Sequence, residues 1–166
     1  GEGINTSSGA GFNMNHVFSK ALVLNTQYFY GQTRNDIEGL TKTQQFLGDT
    51  ILTTNSTRDE LLESFSHRIG FGLRGQLDSL TRYEFKPNLV LINNDGLRQS
   101  FTDNSRNVDG LLNTSLNNQN NQGKSIQYSH NLTFFKNFKK KGRLLNLTHW
   151  VNDNSKEKDQ VTEAVN

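Results

Sequence analysis

The 166-residue sequence contains no cysteine and a single proline, and only 32% of its residues are apolar. Without cysteine there can be neither a disulfide framework nor a cysteine-ligated metal site. A typical soluble domain is about 45–50% apolar, so a soluble domain of this composition would struggle to build a core. No window approaches the roughly 20 apolar residues of a membrane helix, and no signal peptide is visible. Any membrane would have to be crossed by strands.

Charge and chemistry exclude further classes of function. The net charge of +2 gives no overall argument for nucleic acid. A disordered chain would lack aromatic residues, whereas this one is 10% aromatic. The basic run "NFKKKGR" suits a hairpin turn that is solvated or meets lipid phosphates. No catalytic constellation, cofactor motif or metal-ligand spacing is present, so we expect a protein that is not an enzyme, with no cofactor and no metal.

The four histidines are scattered along the sequence, at positions 16, 67, 130 and 149. Three of them, His67, His130 and His149, fall in register with apolar residues near a predicted strand end. We therefore expect packed or interfacial imidazoles here, because nothing in their spacing suggests a shared metal ion.

Apolar residues recur at every second position in long runs, as in "SFSHRIGFGLRG" (residues 64–75). Such alternation is typical of β-strands with two unlike faces. It predicts six strands, at residues 4–13, 21–31, 64–76, 81–92, 124–137 and 143–152. Within the fourth strand, Pro87 removes a backbone donor, so we expect a bulge or a break in pairing there.

The predicted connections alternate in length. Short turns follow the first, third and fifth strands, at residues 14–20, 77–80 and 138–142. The polar stretches 32–63 and 95–123 are expected to be long external loops. Residues 41–47 and 50–56, inside the first of them, also resemble a strand pair joined by Gly48 and Asp49.

This layout predicts an all-β, antiparallel up-and-down meander of about six long strands. Strands of about ten residues exceed the usual 5–6 and suit a tilted membrane crossing. Six strands are too few for a transmembrane β-barrel, and the tail runs out of the sixth strand as if into a third loop. We therefore expect residues 1–166 to be a segment of a larger barrel. A soluble β-sandwich or adhesin-like module is the alternative, with the same apolar faces buried against one another.

A barrel of this kind places its apolar residues against lipid and its polar residues toward a wet lumen. The predicted lumen-facing residues are Arg68, Arg74, Arg82, Glu84 and Lys86. The predicted lipid-facing residues are Ile69, Phe71, Leu73, Phe85, Leu89, Leu132 and Phe134.

Three short sequence words resemble the outer-membrane barrel region of TonB-dependent-receptor-like proteins of the Bacteroidetes type. They are the Asp78-Ser79 turn, the aromatic-x-Pro word at residues 85–87, and the "FKKKGRL" hairpin at residues 138–144. The resemblance implies a bacterial outer-membrane location and uptake of a bulky extracellular nutrient. Its implied partners are outer-membrane lipid, a plug domain and the TonB system, and nucleic acid is not among them. A non-transporting scaffold barrel would share the same wall and stays open as an alternative.

Overall fold

A computed structural model describes residues 2–19 and 21–165, which form one antiparallel sheet with its strands in sequence order. Strand accounts for 91% of the described residues, which contain no helix. Accordingly, they contain no helix that could cross a membrane. The strands are β1 (Glu2–Ser19), β2 (Leu22–Leu47), β3 (Thr50–Asp78), β4 (Thr81–Arg106), β5 (Gly110–Asn137) and β6 (Leu144–Val165). The predicted all-β, up-and-down meander is therefore confirmed.

The strands are much longer than the sequence pattern indicated. Residues 32–63 and 95–123, expected to be long loops, are strand through almost their whole length. Tight turns at Gly48–Asp49 and at residues 107–109 join them, and Gly48 and Gly110 both have positive φ. The expectation of a third loop after residue 152 was also wrong, because β6 continues to Val165. In these stretches both faces are polar, so no hydrophobic alternation marks them as strands.

Short turns join the strands at the opposite end of the sheet. The turn after β3 is organised by Asp78, whose carboxylate accepts hydrogen bonds from the Leu80 N–H (2.7 Å) and the Thr81 hydroxyl (2.9 Å). The Lys136 ammonium lies 3.4 Å from the same carboxylate. These contacts lower the pKa of Asp78, with the Leu80 N–H the largest cause. Asp78 therefore fixes the geometry of the turn through its charged form.

The ladder between β3 and β4 is interrupted beside Pro87. Paired residues run down to Gly70 and Asn88 and resume at Leu73 and Phe85 without a change of register. Proline has no N–H to donate toward β3, which explains a local gap. The predicted break in pairing is therefore present, while Pro87 stays opposite His130 on β5.

The sheet has no hydrophobic core among the described residues. Its accessible surface is 12162 Å², whereas a compact monomer of this length would expose roughly 8,300 Å². The sequence is thus folded into a single layer, and neither face is covered by another part of the described chain.

Candidate functional site

One face of the sheet carries an apolar band that crosses all six strands. The register aligns its members; Leu73, for example, lies opposite Phe85, which lies opposite Leu132. On β4 the band runs from Tyr83 to Leu91, about 27 Å along the strand. Its members are Phe12, Met14, Leu22, Leu24, Tyr28, Tyr30, Ile69, Phe71, Leu73, Tyr83, Phe85, Leu89, Leu91, Ile126, Tyr128, Leu132, Phe134, Leu145, Leu147 and Val151. We call this surface the band face.

The residues predicted to face lipid all lie in this band. They are Ile69, Phe71, Leu73, Phe85, Leu89, Leu132 and Phe134. The two largest fractional exposures among them are those of Phe71, at 46%, and Leu132, at 38%. The band is therefore an apolar surface that the described chain leaves uncovered.

The residues predicted to face a lumen all lie on the opposite side, which we call the polar face. Arg74 and Lys86 both reach the Glu84 carboxylate, at 3.8 and 2.9 Å. Arg82 lies over the Phe135 ring, 4.6 Å from its centroid. Arg68 makes no ion pair within the described residues. The structure thus joins three of the five predicted residues into one charged cluster.

Tyrosine and histidine side chains interact along the band face. The Tyr28 hydroxyl lies 2.8 Å from Nδ1 of His67. On β5 and β6, Nε2 of His130 lies 3.0 Å from Nδ1 of His149, and Nδ1 of His130 lies 3.1 Å from the Tyr128 hydroxyl. This His130–His149 contact was not predicted, because it depends on the register of the hairpin. No group of three metal-ligating side chains occurs in the described part of the chain.

Beyond the band, the strands continue as a polar extension, which comprises residues 32–63, 93–125 and 153–165. In this extension, the two faces of the sheet carry charges of opposite sign. The band face carries ten carboxylates against three cations in this extension, with Arg34 paired to Glu63 at 3.3 Å. The carboxylates are Asp36, Glu38, Asp59, Glu63, Asp95, Asp103, Asp153, Glu157, Asp159 and Glu163, and the cations are Arg34, Lys42 and Lys124.

The polar face has the opposite charge. Over the whole sheet it carries nine cations, and Glu60 and Glu84 are its two carboxylates. The cations are Arg58, Arg68, Arg74, Arg82, Lys86, Arg98, Arg106, Lys156 and Lys158. The net charge of +2 for the chain conceals this separation.

Several of these charged residues were missed because they fell in predicted loops. A signal was nevertheless present in "KEKD", residues 156–159, where the sign of the charge alternates at every position. A charge pattern with a period of two indicates a strand, just as a hydropathy pattern with that period does. It would have extended β6 and placed Lys156 and Lys158 on one face.

No protein-family model matches the sequence, and no curated protein matches it. Among solved structures, the chain is similar to BauA, the ferric preacinetobactin receptor from Acinetobacter baumannii. The identity is 12% and the TM-score 0.39, over 90% of this chain and 27% of that one.

Two other solved structures overlap to a similar extent. Fiu, the ferric-catecholate import receptor from E. coli K12, is 6% identical, with a TM-score of 0.38, over 98% of this chain and 33% of that one. The ferric citrate transporter FecA is 11% identical, with a TM-score of 0.32, over 94% and 25%. The chain therefore spans a quarter to a third of these proteins, and a likeness of this size does not assign a function.

Proposed function

We propose that residues 1–166 form part of the wall of a transmembrane β-barrel in a bacterial outer membrane. The observation that carries the proposal is the apolar band, which crosses all six strands on one face and is uncovered. Its nine-residue height on β4 matches the 9–11 residues that a tilted membrane strand needs. In this arrangement the band face meets lipid and the polar face meets a water-filled lumen.

Backbone pairing supports the same arrangement. A strand in lipid must have its N–H and C=O groups paired, which closed barrels achieve and open sheets do not. Here the four inner strands are paired on both sides, whereas β1 and β6 each have one neighbour. Because the smallest outer-membrane barrels have about eight strands, the wall includes strands beyond these six.

Placement of charge also favours this orientation. The residues Arg68, Arg74, Arg82, Glu84 and Lys86 all lie level with the band but on the polar face. A lysine or arginine on the lipid face near the midplane would cost about 2–4 kcal/mol. In a wet lumen, the Arg74–Glu84–Lys86 cluster remains hydrated.

We further propose that the barrel belongs to a TonB-dependent receptor of the Bacteroidetes type that takes up a bulky nutrient. The support is that the short motifs at residues 78–79, 85–87 and 138–144 resemble motifs in the barrel region of that family. The polar extension then lies outside the cell, where it meets the nutrient, while a plug and the TonB system act from within. The alternative is a scaffold barrel that does not transport. Nutrient uptake that stops when TonB is removed would favour the receptor over the scaffold.

A soluble β-sandwich requires two packed sheets. The described residues provide one sheet and no buried apolar side chain, so a sandwich would need its second sheet from elsewhere.

The test uses the full-length protein that carries this chain, expressed in a Gram-negative host. Phe71→Arg places a charge in the band and is expected to abolish assembly into the outer-membrane fraction. Arg82→Leu removes a charge from the polar face beside the edge of the band and is expected to leave assembly intact. The readout is the heat-modifiable, detergent-extracted band on a gel. The reverse pattern, or an unmodified protein that stays in the aqueous phase, would contradict the proposal.

A further inference from the structure

In the polar extension, the band face carries a second group of apolar side chains, which form two rows across the strands. The register defines the rows: Leu61 lies opposite Leu97 in the row nearer the band, and Phe101 lies opposite Leu116 in the other. We call this surface the outer patch, and its remaining members, which continue the two rows on β6, are Val161 and Val165. Leu97 and Val161 are 55% and 61% exposed, so the described chain leaves the patch uncovered.

In the proposed barrel, the outer patch lies beyond the reach of lipid. On β4, Leu97 is six residues past Leu91, the last residue of the band, which is about 20 Å along the strand. With a strand tilt of about 45°, this places Leu97 roughly 14 Å above the hydrocarbon core, whereas the head-group layer on each side is about 5–8 Å thick. Acyl chains therefore cover the band and leave the outer patch free.

Carboxylates accompany the apolar rows of the outer patch. Glu38, Asp59 and Glu163 lie on the row of residues between the two apolar rows. Asp159 lies on the same face of β6, next to Val161. None of these four carboxylates forms an ion pair within the described residues. The patch thus combines exposed apolar side chains with negative charge that the described chain does not neutralise.

This charge decides which partner can cover the apolar side chains. A second copy of the chain would bring the same acidic face against itself, and like charges across an interface repel. A phosphate-bearing lipid or saccharide would add further negative charge to the same place. Specific protein interfaces have an apolar centre with polar residues around it, and their charges are complementary. The outer patch therefore suits a protein surface that is both apolar and basic.

We propose that the outer patch docks a cationic, amphipathic segment of a second protein at the cell surface. Apolar side chains of the segment lie on the two rows, and its lysines or arginines pair with Glu38, Asp59 and Glu163. The inference rests on the proposed function, because the band face points outward only in the barrel. The partner contacts the outside of the wall and is therefore distinct from any solute in the lumen.

Fluorescent peptides test the chemistry of the partner. The full-length protein is purified in an uncharged detergent, and binding is measured by fluorescence anisotropy at physiological ionic strength, with empty micelles as the background. The probes are three peptides, of alternating Leu and Lys, Ser and Lys, or Leu and Glu. We expect the Leu/Lys peptide to bind about tenfold or more tightly than either of the others. Equal binding of the Ser/Lys or the Leu/Glu peptide, or no binding of the Leu/Lys peptide at submillimolar concentration, would overturn the proposal.

Two leucines on opposite faces provide a matched control for the apolar contact. Leu97 belongs to the outer patch, whereas Leu62 lies on the polar face, opposite Gly96, and is 37% exposed. Leu97→Gln should weaken binding of the Leu/Lys peptide about tenfold. Leu62→Gln should leave binding within about twofold, because this side chain is on the other side of the sheet. An equal loss in both variants would refute the patch.

Pairs of carboxylates on the same face provide the control for charge. The double variant Asp59→Asn/Glu163→Gln removes two charges from between the apolar rows and should weaken binding about fivefold. The double variant Asp153→Asn/Glu157→Gln removes two charges nearer the band and should leave binding within about twofold. Glu157 is four residues from Val161, about 13 Å, which exceeds the Debye length of about 8 Å at physiological ionic strength. An equal loss in both would show a general charge effect and contradict the proposal.

Two further measurements separate the possible outcomes. Sedimentation of the full-length protein without peptide should show no dimer that depends on the outer patch, and a dimer that Leu97→Gln abolishes would make a second copy the occupant instead. Assembly of each variant into the outer membrane is measured separately. A protein that assembles but does not bind the Leu/Lys peptide refutes the docking surface alone, whereas one that fails to assemble as the parent chain refutes the proposed barrel.

Discussion

The band and the polar extension are made from the same strands, yet the side chains that alternate between the two faces differ in kind from one region to the other. In the band, one face is apolar and the other is polar or charged, as at Leu89 and Lys86 on β4. In the extension both faces are polar, and they differ in the sign of their charge. In the proposed arrangement, each strand therefore passes from a region with lipid on one face and water on the other to a region with water on both faces. The comparison locates the proposed membrane boundary near residues 31, 64, 92, 126 and 152.

The largest expected effect comes from moving one charge between the two regions. Leu89 and Leu97 lie on the same strand and the same face, the first inside the band and the second beyond it. Leu89→Arg should cost about 2–4 kcal/mol of folding free energy in a bilayer. Leu97→Arg should stay within about 0.5 kcal/mol, because Leu97 is already 55% exposed in a polar region.

Urea unfolding of the full-length protein in lipid vesicles measures both variants. Equal destabilisation would remove the distinction between the band and the extension.

This contrast also explains what could be predicted from the sequence. Where apolar and polar residues alternate, as around Phe71, the strands and their faces were predictable. The seven residues predicted to face lipid lie on one face of the sheet, and the five predicted to face a lumen lie on the other. Where both faces are polar, hydropathy carries no period, so the sequence pattern predicts a loop at residues 95–106 although they belong to β4. The contact between His130 and His149 depends on cross-strand register, which local sequence does not specify.

A smaller effect is expected from filling glycines in the two regions. A Cβ at Gly75, at the edge of the band, would collide with the Tyr83 ring. At Gly39, in the extension, the nearest atom would be 3.7 Å away. Gly75→Ala should therefore destabilise by about 1–3 kcal/mol, since the ring must move. Gly39→Ala should be neutral or stabilise by a few tenths of a kcal/mol, because it stiffens the unfolded chain.

The same unfolding assay reads out both changes. Gly75→Ala combined with Tyr83→Ala should recover part of the loss. If Gly39→Ala is the more harmful of the two, the extension is packed more tightly than the structure indicates.

The smallest effect concerns pH at the short turns. The pKa of Asp78 lies below its ordinary value of 3.8, mainly because the Leu80 N–H bonds to the charged carboxylate. Its contribution to stability is therefore complete above that value and is lost as the pH falls through the lower pKa of the folded state. Asp78→Asn should lower the melting temperature slightly at neutral pH, and the difference from the parent should shrink on acidification below pH 3.8.

The central claim is that the band face meets lipid, and cysteine scanning tests it most directly. Because these 166 residues contain no cysteine, single cysteines can be placed one at a time at residues 83–103 of β4. Each is labelled with a fluorophore in the membrane-assembled, full-length protein, freed of any other cysteine. A lipid-soluble quencher should act at residues 85, 89 and 91, and a water-soluble one at residues 84, 86 and 88. Beyond residue 93 the water-soluble quencher should act at every position. Quenching from water at residues 85, 89 and 91, or no alternation between 83 and 92, would contradict the account.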